Sequence, residues 1–409
     1  YGALTIQNFT TATDTYNTAV GYQAGNNITQ GQQNTLIGGL AGQLLTDTDF
    51  NTAVGMSTLQ ADTGGQYSTA VGYQALFSQN FTTTGTNTNN TAVGRIAGRS
   101  ITTGIVNTLL GSVAGDALTD ADYNTAVGYA ALTNDTLGSR STAIGNSALQ
   151  TQNFSTAQNT NNTAVGFQAG LDVTTGIQNT LLGSIAGTNL TDADNNTAVG
   201  YGALDADTLG SRSVAIGYFA LGAQNFTTAT NSNNTAVGYA AGEAITTGTH
   251  NTCIGANAGD EITTGSENTF VGSAAGGTAV VTGNNNTVMG RNAGLNVTSG
   301  SNNLLLGHDA GRGDSPSGNV TTGSNKVCLG DDNITDIFCA DTSISSSDER
   351  DKTDFAALTL GLDFVKALEP VTYYWDKRSK YGDSDAEDYD LNAQTPDGTH
   401  KEDKMHTGF

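Results

Sequence analysis

The sequence predicts an all-β protein: a trimeric parallel β-solenoid built from 17-residue repeats, followed by a small α+β segment at the C-terminus. Three observations lead to this prediction. A motif that begins Asn-Thr-Ala-Val-Gly returns at a nearly constant interval along most of the 409 residues. The composition combines 53 glycines with only 3 prolines and 13% charged residues, which excludes collagen and argues against simple disorder. Near Ser346 the chain becomes abruptly charged and aromatic.

The repeat is regular enough to define a stacked array. Its units mostly start 17 residues apart, with a longer interval after every fourth unit in the first three groups. A period this short and this strict is typical of a solenoid, in which each unit contacts only its neighbours. The units open at Asn17, Asn34, Asn51, Ser68, Asn90, Asn107, Asn124, Ser141, Asn162, Asn179, Asn196, Ser213, Asn234, Asn251, Asn268, Asn286, Asn303 and, in degenerate form, Asn325.

Each unit is predicted to contain one short strand and tight turns. Its centre is β-branched or small, as in Thr52-Ala-Val54, and glycines bound it. Seventeen residues are too few for a helical hairpin, so each strand must pair with the equivalent strand of the next unit. Eighteen strands spaced by about 4.8 Å give a ladder of roughly 85 Å. The asparagines that open most units are then predicted to stack as a side-chain ladder.

A longer period divides the predicted shaft, residues 1–330, into superrepeats over 17–89, 90–161, 162–233 and 234–324. Long loops at this period carry Gln-Asn-Phe, and they place four phenylalanines along one edge: Phe9, Phe81, Phe154 and Phe226. Two interpretations remain open. Each ring packs against a neighbouring chain, or the loops form a row of candidate binding sites for host glycans.

The inward positions are mostly Ala, Val, Leu and Gly, so one thin solenoid buries little apolar surface per coil. Such a slender body needs partners to cover its remaining apolar face, and three chains around an axis would do so. The motif also resembles the head repeats of trimeric autotransporter adhesins, over roughly residues 17–311. That resemblance implies a homotrimer, although the unit length differs from that of the family.

Charge and composition exclude several classes of function. The formal net charge is −23, from 38 acidic and 15 basic residues, so the surface repels nucleic acid and does not attract an anionic membrane. No stretch is long and apolar enough for membrane insertion. The three cysteines show neither metal spacing nor a disulfide framework. We therefore predict no metal, no cofactor and three part-buried thiols, with a Cys328–Cys339 bridge as the open alternative to free Cys253, Cys328 and Cys339.

Acidic loops recur in three places, at residues 45–49, 118–122 and 190–194. The copies are four units or about 19 Å apart, which is too far for the carboxylate pair of a glycosidase. We interpret them as surface turns, since a calcium site would lack an obvious sixth ligand. Asp122 and Arg140, like Asp194 and Arg212, differ by 18 in residue number, which predicts ion pairs between adjacent coils.

After a transition over residues 331–345, the segment 346–409 has a different composition. It opens with Ser-Ser-Asp-Glu-Arg-Asp-Lys-Thr, and apolar residues then recur at helical spacing from Leu362 to Leu368. Pro370 ends the predicted helix, and the residues from Val371 to Trp375 predict a strand.

This order of motifs resembles the start of the intramolecular chaperone domain of phage tail spikes and fibres, peptidase family S74. The resemblance implies that the segment helps three chains to trimerise and then cuts itself off between Ser346 and Ser347. Carried over by position, Ser347 is the nucleophile, Lys352 is its base and Asp348 orients the two. The residues alone leave a second interpretation open, in which Ser347 caps a helix N-terminus. We expect the domain to be incomplete within this sequence.

These features favour a structural and adhesive component of a phage tail fibre in the virion tail, bound to a host-surface glycan or protein and to other tail proteins. The predicted catalysis is one self-cleavage, with no external substrate. Two alternatives remain open. A bacterial surface adhesin or extracellular filament subunit would carry a secretion signal and a membrane anchor beyond these ends. A polysaccharide-degrading tail spike would cluster carboxylates across neighbouring coils.

Overall fold

A computed structural model describes residues 1–277, 279–336, 371–374, 381, 393, 395–401, 403 and 405–408. The chain divides into two compact units, Tyr1–Ile337 and Phe338–Phe409. The first unit is a parallel β-solenoid, so the predicted fold class is confirmed for the described part of the chain. The division between the units falls inside the predicted transition.

Most strands are only three residues long, because a turn glycine follows at once. Numbered in chain order, the strands are β1 Thr18–Val20, β2 Thr35–Ile37, β3 Thr52–Val54, β4 Gly65–Gln66, β5 Thr69–Val71, β6 Thr86–Asn87, β7 Thr91–Val93, β8 Thr108–Leu110, β9 Thr125–Val127, β10 Gly138–Ser139, β11 Thr142–Ile144, β12 Gln158–Asn159, β13 Thr163–Val165, β14 Thr180–Leu182, β15 Thr197–Val199, β16 Gly210–Ser211, β17 Val214–Ile216, β18 Thr230–Asn231, β19 Thr235–Val237, β20 Thr252–Ile254, β21 Thr269–Val271, β22 Thr287–Met289, β23 Leu304–Leu306, β24 Val327–Leu329, β25 Val371–Tyr374 and β26 Met405–Gly408.

Eighteen of these strands form one parallel sheet along the first unit. Each strand pairs with the equivalent strand one coil later, as Thr18 does with Thr35 and Thr35 with Thr52. The three long coils, which open at Ser68, Ser141 and Ser213, keep this register, since Thr69 still pairs with Thr91. The extra residues form three short parallel pairs beside the main sheet, β4–β6, β10–β12 and β16–β18. Equivalent residues therefore stack whatever the length of the coil.

The turn after each strand depends on glycine. Gly38 has a φ of 139° and donates its N–H to the carbonyl oxygen of Val20 at 2.7 Å. A Cβ at Gly38 would overlap the carbonyl oxygen of Gly55 in the next coil, so only glycine fits where the backbones approach this closely. Leu40 and Gly42 then take left-handed φ values of 62° and 56°, which bend the chain back toward the next coil.

The core of the solenoid is a column of small and branched side chains. The middle residue of the strand points inward, and Leu36 and Ala53 are fully buried. The turn adds further buried side chains to each coil, such as Ala41 and Leu45. Burying one leucine is worth about 2 kcal/mol, so the stability of the array accumulates coil by coil.

The predicted asparagine ladder is confirmed, and it also closes each coil. The carboxamide oxygen of Asn34 accepts the N–H of Asn51 at 3.0 Å, and that of Asn51 accepts the N–H of Ser68 at 3.0 Å. The amide nitrogen of Asn34 donates to the carbonyl oxygen of Thr48 in its own coil at 2.8 Å. Asn34 and Asn51 are fully buried. Each ladder asparagine thus satisfies backbone groups in two coils at once.

The predicted start of the last unit is wrong by one residue. Val327 pairs with Leu304, so the final coil opens at Lys326 and not at Asn325. The N–H of Lys326 occupies the ladder position and donates to Asn303 Oδ1 at 3.0 Å. Asn325 has a φ of 60° and precedes the opening residue, as Asn302 does one coil earlier with a φ of 56°. Asparagine tolerates the left-handed conformation, which explains why it recurs at that neighbouring position.

The predicted ion pairs between adjacent coils are also wrong. The ion pairs found among the described residues include neither Asp122 with Arg140 nor Asp194 with Arg212. Asp122 Oδ1 instead accepts the N–H of Ile105 in the preceding coil at 2.8 Å, and Asp194 makes the same contact one superrepeat later. Each carboxylate accepts a hydrogen bond from a backbone N–H of the preceding coil, whereas the arginine predicted to pair with it lies in the following coil.

Strands β25 and β26 of the second unit form an antiparallel pair in which Val371 lies opposite Gly408. The strand predicted from Val371 to Trp375 is confirmed for residues 371–374. The helix predicted from Leu362 to Leu368 lies outside the described residues.

Candidate functional site

Long loops leave the solenoid surface once in each of the first three superrepeats. The first spans residues 82–87 and consists of Thr, Gly and Asn, mostly exposed. Its equivalents span residues 155–159 and 227–231. The two-residue strand Thr86–Asn87 within the first loop pairs with Gly65–Gln66 and fixes the loop to the body. The loops are four coils or about 19 Å apart, and they present hydroxyl and amide groups to solvent.

The phenylalanines predicted as candidate binding residues are mostly covered by their own chain. Phe81, Phe154 and Phe226 are 8%, 7% and 5% exposed, and Phe9 is half-buried. An aromatic ring gains most by burying its large apolar surface. The Phe226 ring lies against Gly210 of β16, where the absence of a side chain leaves room for it. In these positions the three rings are nearly covered by their own chain and anchor the loops.

A buried polar cluster lies under each long loop, and the sequence analysis missed it. In the first, Gln79 Nε2 donates to Asp62 Oδ2 at 2.6 Å and to Ser68 Oγ at 3.0 Å. The carboxamide oxygen of Gln79 accepts a hydrogen bond from Asn90 Nδ2 at 2.9 Å. Ser68 Oγ also shares a hydrogen bond of 2.5 Å with Thr88 Oγ1. All five side chains are fully buried.

The cluster recurs in the next two superrepeats. Its members there are Asp135, Ser141, Gln152, Thr160 and Asn162, and then Asp207, Ser213, Gln224, Ser232 and Asn234. Serine stands where other coils have the ladder asparagine, and a loop glutamine makes the contact with the next asparagine instead. Two sequence signals pointed to this cluster, because serine opens the fourth, eighth and twelfth units and glutamine precedes every Asn-Phe pair.

Burial raises the pKa of Asp62, Asp135 and Asp207 above 3.8, because desolvation outweighs the hydrogen bonds that each carboxylate accepts. Those bonds come from the glutamine amide and from backbone donors. For Asp62 the backbone donors include the N–H groups of Gly65 at 3.1 Å and Phe81 at 3.2 Å. Each carboxylate therefore holds its loop in place and has no exposed edge for an external substrate.

The acidic loops serve a related structural purpose. Asp49 Oδ1 accepts the N–H of Gln32 at 2.7 Å, and Asp120 Oδ1 accepts the Thr103 hydroxyl at 2.6 Å. These hydrogen bonds join adjacent coils. Like the buried aspartates, these carboxylates accept hydrogen bonds within the solenoid. This arrangement does not favour a polysaccharide-cleaving site on the described solenoid.

Three potential metal ligands lie together near the C-terminal end of the solenoid. His308 Nδ1 is 3.6 Å from Asp309 Oδ2 and 3.3 Å from Asp331 Oδ2. The guanidinium of Arg312 already bonds Asp309 Oδ1 at 2.8 Å and supplies the positive charge that a metal would bring. We therefore assign no metal to this group.

Two of the three cysteines are free and more buried than the sequence predicted. Cys253 is 0% and Cys328 is 3% exposed, while Cys339 lies outside the described residues. Burial raises the pKa of the Cys253 thiol to about 12. A thiol held in its neutral form in the core is unreactive, so Cys253 acts as an apolar core residue.

A ladder of stacked coils with loops at regular intervals defines a fibrous β-solenoid protein. Ser347, Asp348, Lys352 and the bond between Ser346 and Ser347 lie outside the described residues. Residues 347–408 match the family model described as chaperone of endosialidase, peptidase family S74, which confirms the motif-based recognition of this segment. No curated protein matches the chain. A β-solenoid followed by such a segment is the organisation of a protein similar to tail fibres and tail spikes.

Within the described part of the chain, no helix has the length and apolar character required to cross a membrane.

Proposed function

We propose that the protein is the shaft of a phage tail fibre, that it works as a homotrimer in the extracellular virion tail, and that it attaches the virion to a host surface. The observation that carries this proposal is the combination of an 18-stranded solenoid with a segment that matches an endosialidase chaperone. Stacked coils extend without needing a large core, which suits a protein that must reach and contact a surface. The family match favours a tail fibre over a bacterial surface adhesin. Other tail proteins are the expected further partners.

The long loops are the proposed contact sites for a host glycan or protein. Their exposed hydroxyl and amide groups can hydrogen-bond to sugar hydroxyls. The buried phenylalanine and the Asp–Gln cluster beneath each loop hold its backbone in place, so binding requires little further ordering. Because the loops repeat about every 19 Å, one extended polysaccharide can bind several of them, and this multivalency strengthens attachment.

Binding to host cells tests this assignment. In the full chain, replacing Thr83, Ser155 and Thr227 with Glu should weaken binding by about tenfold or more, because each loop contributes to the avidity. All three side chains are exposed, so the fold should be retained. Binding is measured by a sedimentation or fluorescence assay on intact cells.

A matched control places the same three charges on ordinary coils. Gln30, Thr247 and Ser299 are also exposed, and their replacement with Glu should leave binding within about twofold. Equal losses in the two triple variants would rule out the loops as the contact sites.

The proposed maturation step is a single self-cleavage between Ser346 and Ser347. A serine hydroxyl is a weak nucleophile until a base removes its proton, and a desolvated lysine can act as that base. Lys352 is assigned this role, and Asp348 is assigned the orientation of the serine and lysine side chains.

Terminal sequencing of the full-length product tests the self-cleavage. The unmodified chain should yield a fragment that begins at Ser347, Ser347→Ala should yield none, and Ser345→Ala should still be cut. A new N-terminus at residue 347 in the Ser347→Ala variant would show that the nucleophile is misassigned.

A further inference from the structure

One face of the solenoid carries an outward apolar side chain on every coil. With the opening residue of each coil as position one, this strand face consists of the outward side chains at positions four and six. Position four ends each strand of the main sheet, and in all 18 strands it is Val, Ile, Leu or Met. Ten of these side chains are 37% to 58% exposed: Val20, Ile37, Val93, Leu110, Ile144, Leu182, Ile216, Ile254, Met289 and Leu329.

Position six adds exposed aromatic rings beside the strand ladder on seven coils, whereas on others it is small or charged, as at Gly39, Arg95 and Arg291. These rings are 45% to 59% exposed: Tyr22, Tyr73, Tyr129, Phe167, Tyr201, Tyr218 and Tyr239. Where they fall on successive coils they stack, with centroids 5.6 Å apart for Tyr201 and Tyr218 and 5.2 Å apart for Tyr218 and Tyr239. These three stacked rings cover one another's faces, so sugars, which stack on ring faces, are poorly suited to this part of the row.

The strand face also avoids negative charge. The sequence has 38 acidic residues and a net charge of −23. Yet in the 17 coils that open between Asn17 and Asn303, positions two, four and six contain no Asp or Glu. A second copy of the same acidic chain can approach this face without bringing carboxylates together, whereas most other faces would repel it.

The face is long and large enough for a stable interface. Loop insertions do not interrupt it, because the strand register continues through the long coils. Seven half-exposed rings of about 150–250 Å² each offer on the order of 700 Å². This nearly reaches the roughly 800 Å² that each partner contributes to a standard interface, before the strand ladder is added. An exposed apolar area of this size marks an interaction surface.

We propose that the strand face is the surface on which copies of this chain pack against one another, so that the occupant is a second copy of the same chain. The inference rests on the proposed fibre and names the face that its shaft would use. Packing would bury the position-four ladder and the tyrosine row together, and it would leave the long loops free for a host surface.

Hydroxyl-radical labelling of the full chain, combined with light scattering for mass, tests this assignment. We expect a particle of three chains, whose mass before the C-terminal segment is cut off is about three times the 41.8 kDa chain mass. Within it, the position-six tyrosines should be labelled about fivefold or more slowly than fully exposed Tyr1, because an interface core excludes water. Exposed on a single chain, they would be labelled at about half the rate of Tyr1.

Two charge variants sharpen the test. Replacing Ile144, Leu182 and Ile254 with Glu should restore fast labelling of the tyrosines, with an unchanged β-sheet circular dichroism spectrum. The Thr83, Ser155 and Thr227 to Glu variant adds the same charge and should leave the tyrosines protected.

The possible outcomes separate this inference from the proposed function. A single-chain mass, or a larger particle whose tyrosines are labelled at half the rate of Tyr1, would overturn the assignment of the face. Protected tyrosines in a particle that binds no host surface would support the face and refute the adhesive function. Should the face variant fail to fold, the comparison with Tyr1 in the unmodified chain decides alone.

Discussion

Ordinary 17-residue coils and the long coils of the solenoid use different residues to hydrogen-bond the buried polar groups where each coil opens. An ordinary coil closes with one buried asparagine, which bonds a carbonyl of its own coil and an N–H of the next. A long coil opens with serine, which is too short to make both contacts. There, a glutamine from the loop bonds the next asparagine and is itself held by a buried aspartate.

The difference teaches that strand register does not depend on coil length. What both kinds of coil share is the turn glycine and the three-residue strand, and these suffice to bring equivalent residues together. The polar contacts around them can be rearranged, provided that every buried donor and acceptor finds a partner. Extra residues then form a surface loop, and each such loop requires one buried carboxylate beneath it.

The largest effect is expected at the shared turn glycine. Gly38→Ala should lower the unfolding free energy by at least about 3 kcal/mol, since its φ of 139° is strained for alanine and the Cβ would overlap the next coil. Gly39→Ala is the control, because a Cβ there meets nothing within 4 Å, and it should change stability by less than about 0.5 kcal/mol. Thermal denaturation compares the two, and similar losses would mean that close stacking at Gly38 is not the constraint.

The next largest effect is expected in a long coil. Gln152→Ala should cost about 2 to 3 kcal/mol, because it leaves the buried groups of Asp135 and Asn162 without their partner. Gln150→Ala, at a partly exposed site two residues earlier, should cost less than about 0.5 kcal/mol. Chemical denaturation measures both. A negligible loss at Gln152 would show that the cluster does not hold the loop.

A smaller effect is expected for the ordinary ladder. Asn107→Ala removes the acceptor for the Asn124 N–H at 3.0 Å and the donor to the Ala121 carbonyl at 2.8 Å, and should cost about 1 to 2 kcal/mol. Asn134→Ala, at an exposed position, should be nearly neutral. If the two variants unfold at the same denaturant concentration, the asparagine ladder contributes no net stability.

The long coils should also give the protein a pH response. A carboxyl whose pKa is raised by folding binds its proton more tightly in the folded state, so acidification stabilises the fold. This contribution is complete below the unfolded pKa of about 3.9 and is lost as pH rises through the folded pKa. Lowering the pH from 7 toward 4 should therefore raise Tm, less so when Asp62, Asp135 and Asp207 are all replaced with Asn.

The control for this response removes the same three charges elsewhere. Replacing Asp47, Asp120 and Asp192 with Asn reduces the overall charge repulsion equally but leaves the buried carboxyls in place. This variant should keep most of the rise in Tm. Identical pH profiles for the two triple variants would mean that net charge, and not burial, causes the response.

The smallest effect is expected for the ion pairs that the structure does not contain. Arg140→Ala should change the unfolding free energy by less than about 0.5 kcal/mol, whereas Asp122→Ala should cost about 1 kcal/mol because it removes the acceptor for the Ile105 N–H. A double-mutant cycle measures their coupling. A coupling energy near 1 kcal/mol between Asp122 and Arg140 would show that the predicted ion pair forms.

The period alone predicted the strands, their pairing and the asparagine ladder, because in a stacked array sequence offset determines which residues are neighbours. It could not predict which way a side chain points. Asp122 and Arg140 are on adjacent coils as expected, yet the carboxylate faces the preceding coil. Phe81 was in the predicted loop but folds beneath it.

Residues that depart from the repeat were the least predictable. The partnership of Gln79 with Asp62 depends on how the loop folds back, which spacing does not encode. The insertion before Lys326 places the start of the last coil one residue later than predicted. Asn325, which precedes Lys326, was mistaken for the opening asparagine.

The most direct test of the central claim is a cryo-electron microscopy map of the full chain at a resolution that separates strands. We expect rungs about 4.8 Å apart, one per coil, with Thr69 still opposite Thr91 across the first long loop. Helices between Asn17 and Asn303, or a break in register wherever a long loop leaves the body, would contradict the stacking on which the fold and its proposed function depend.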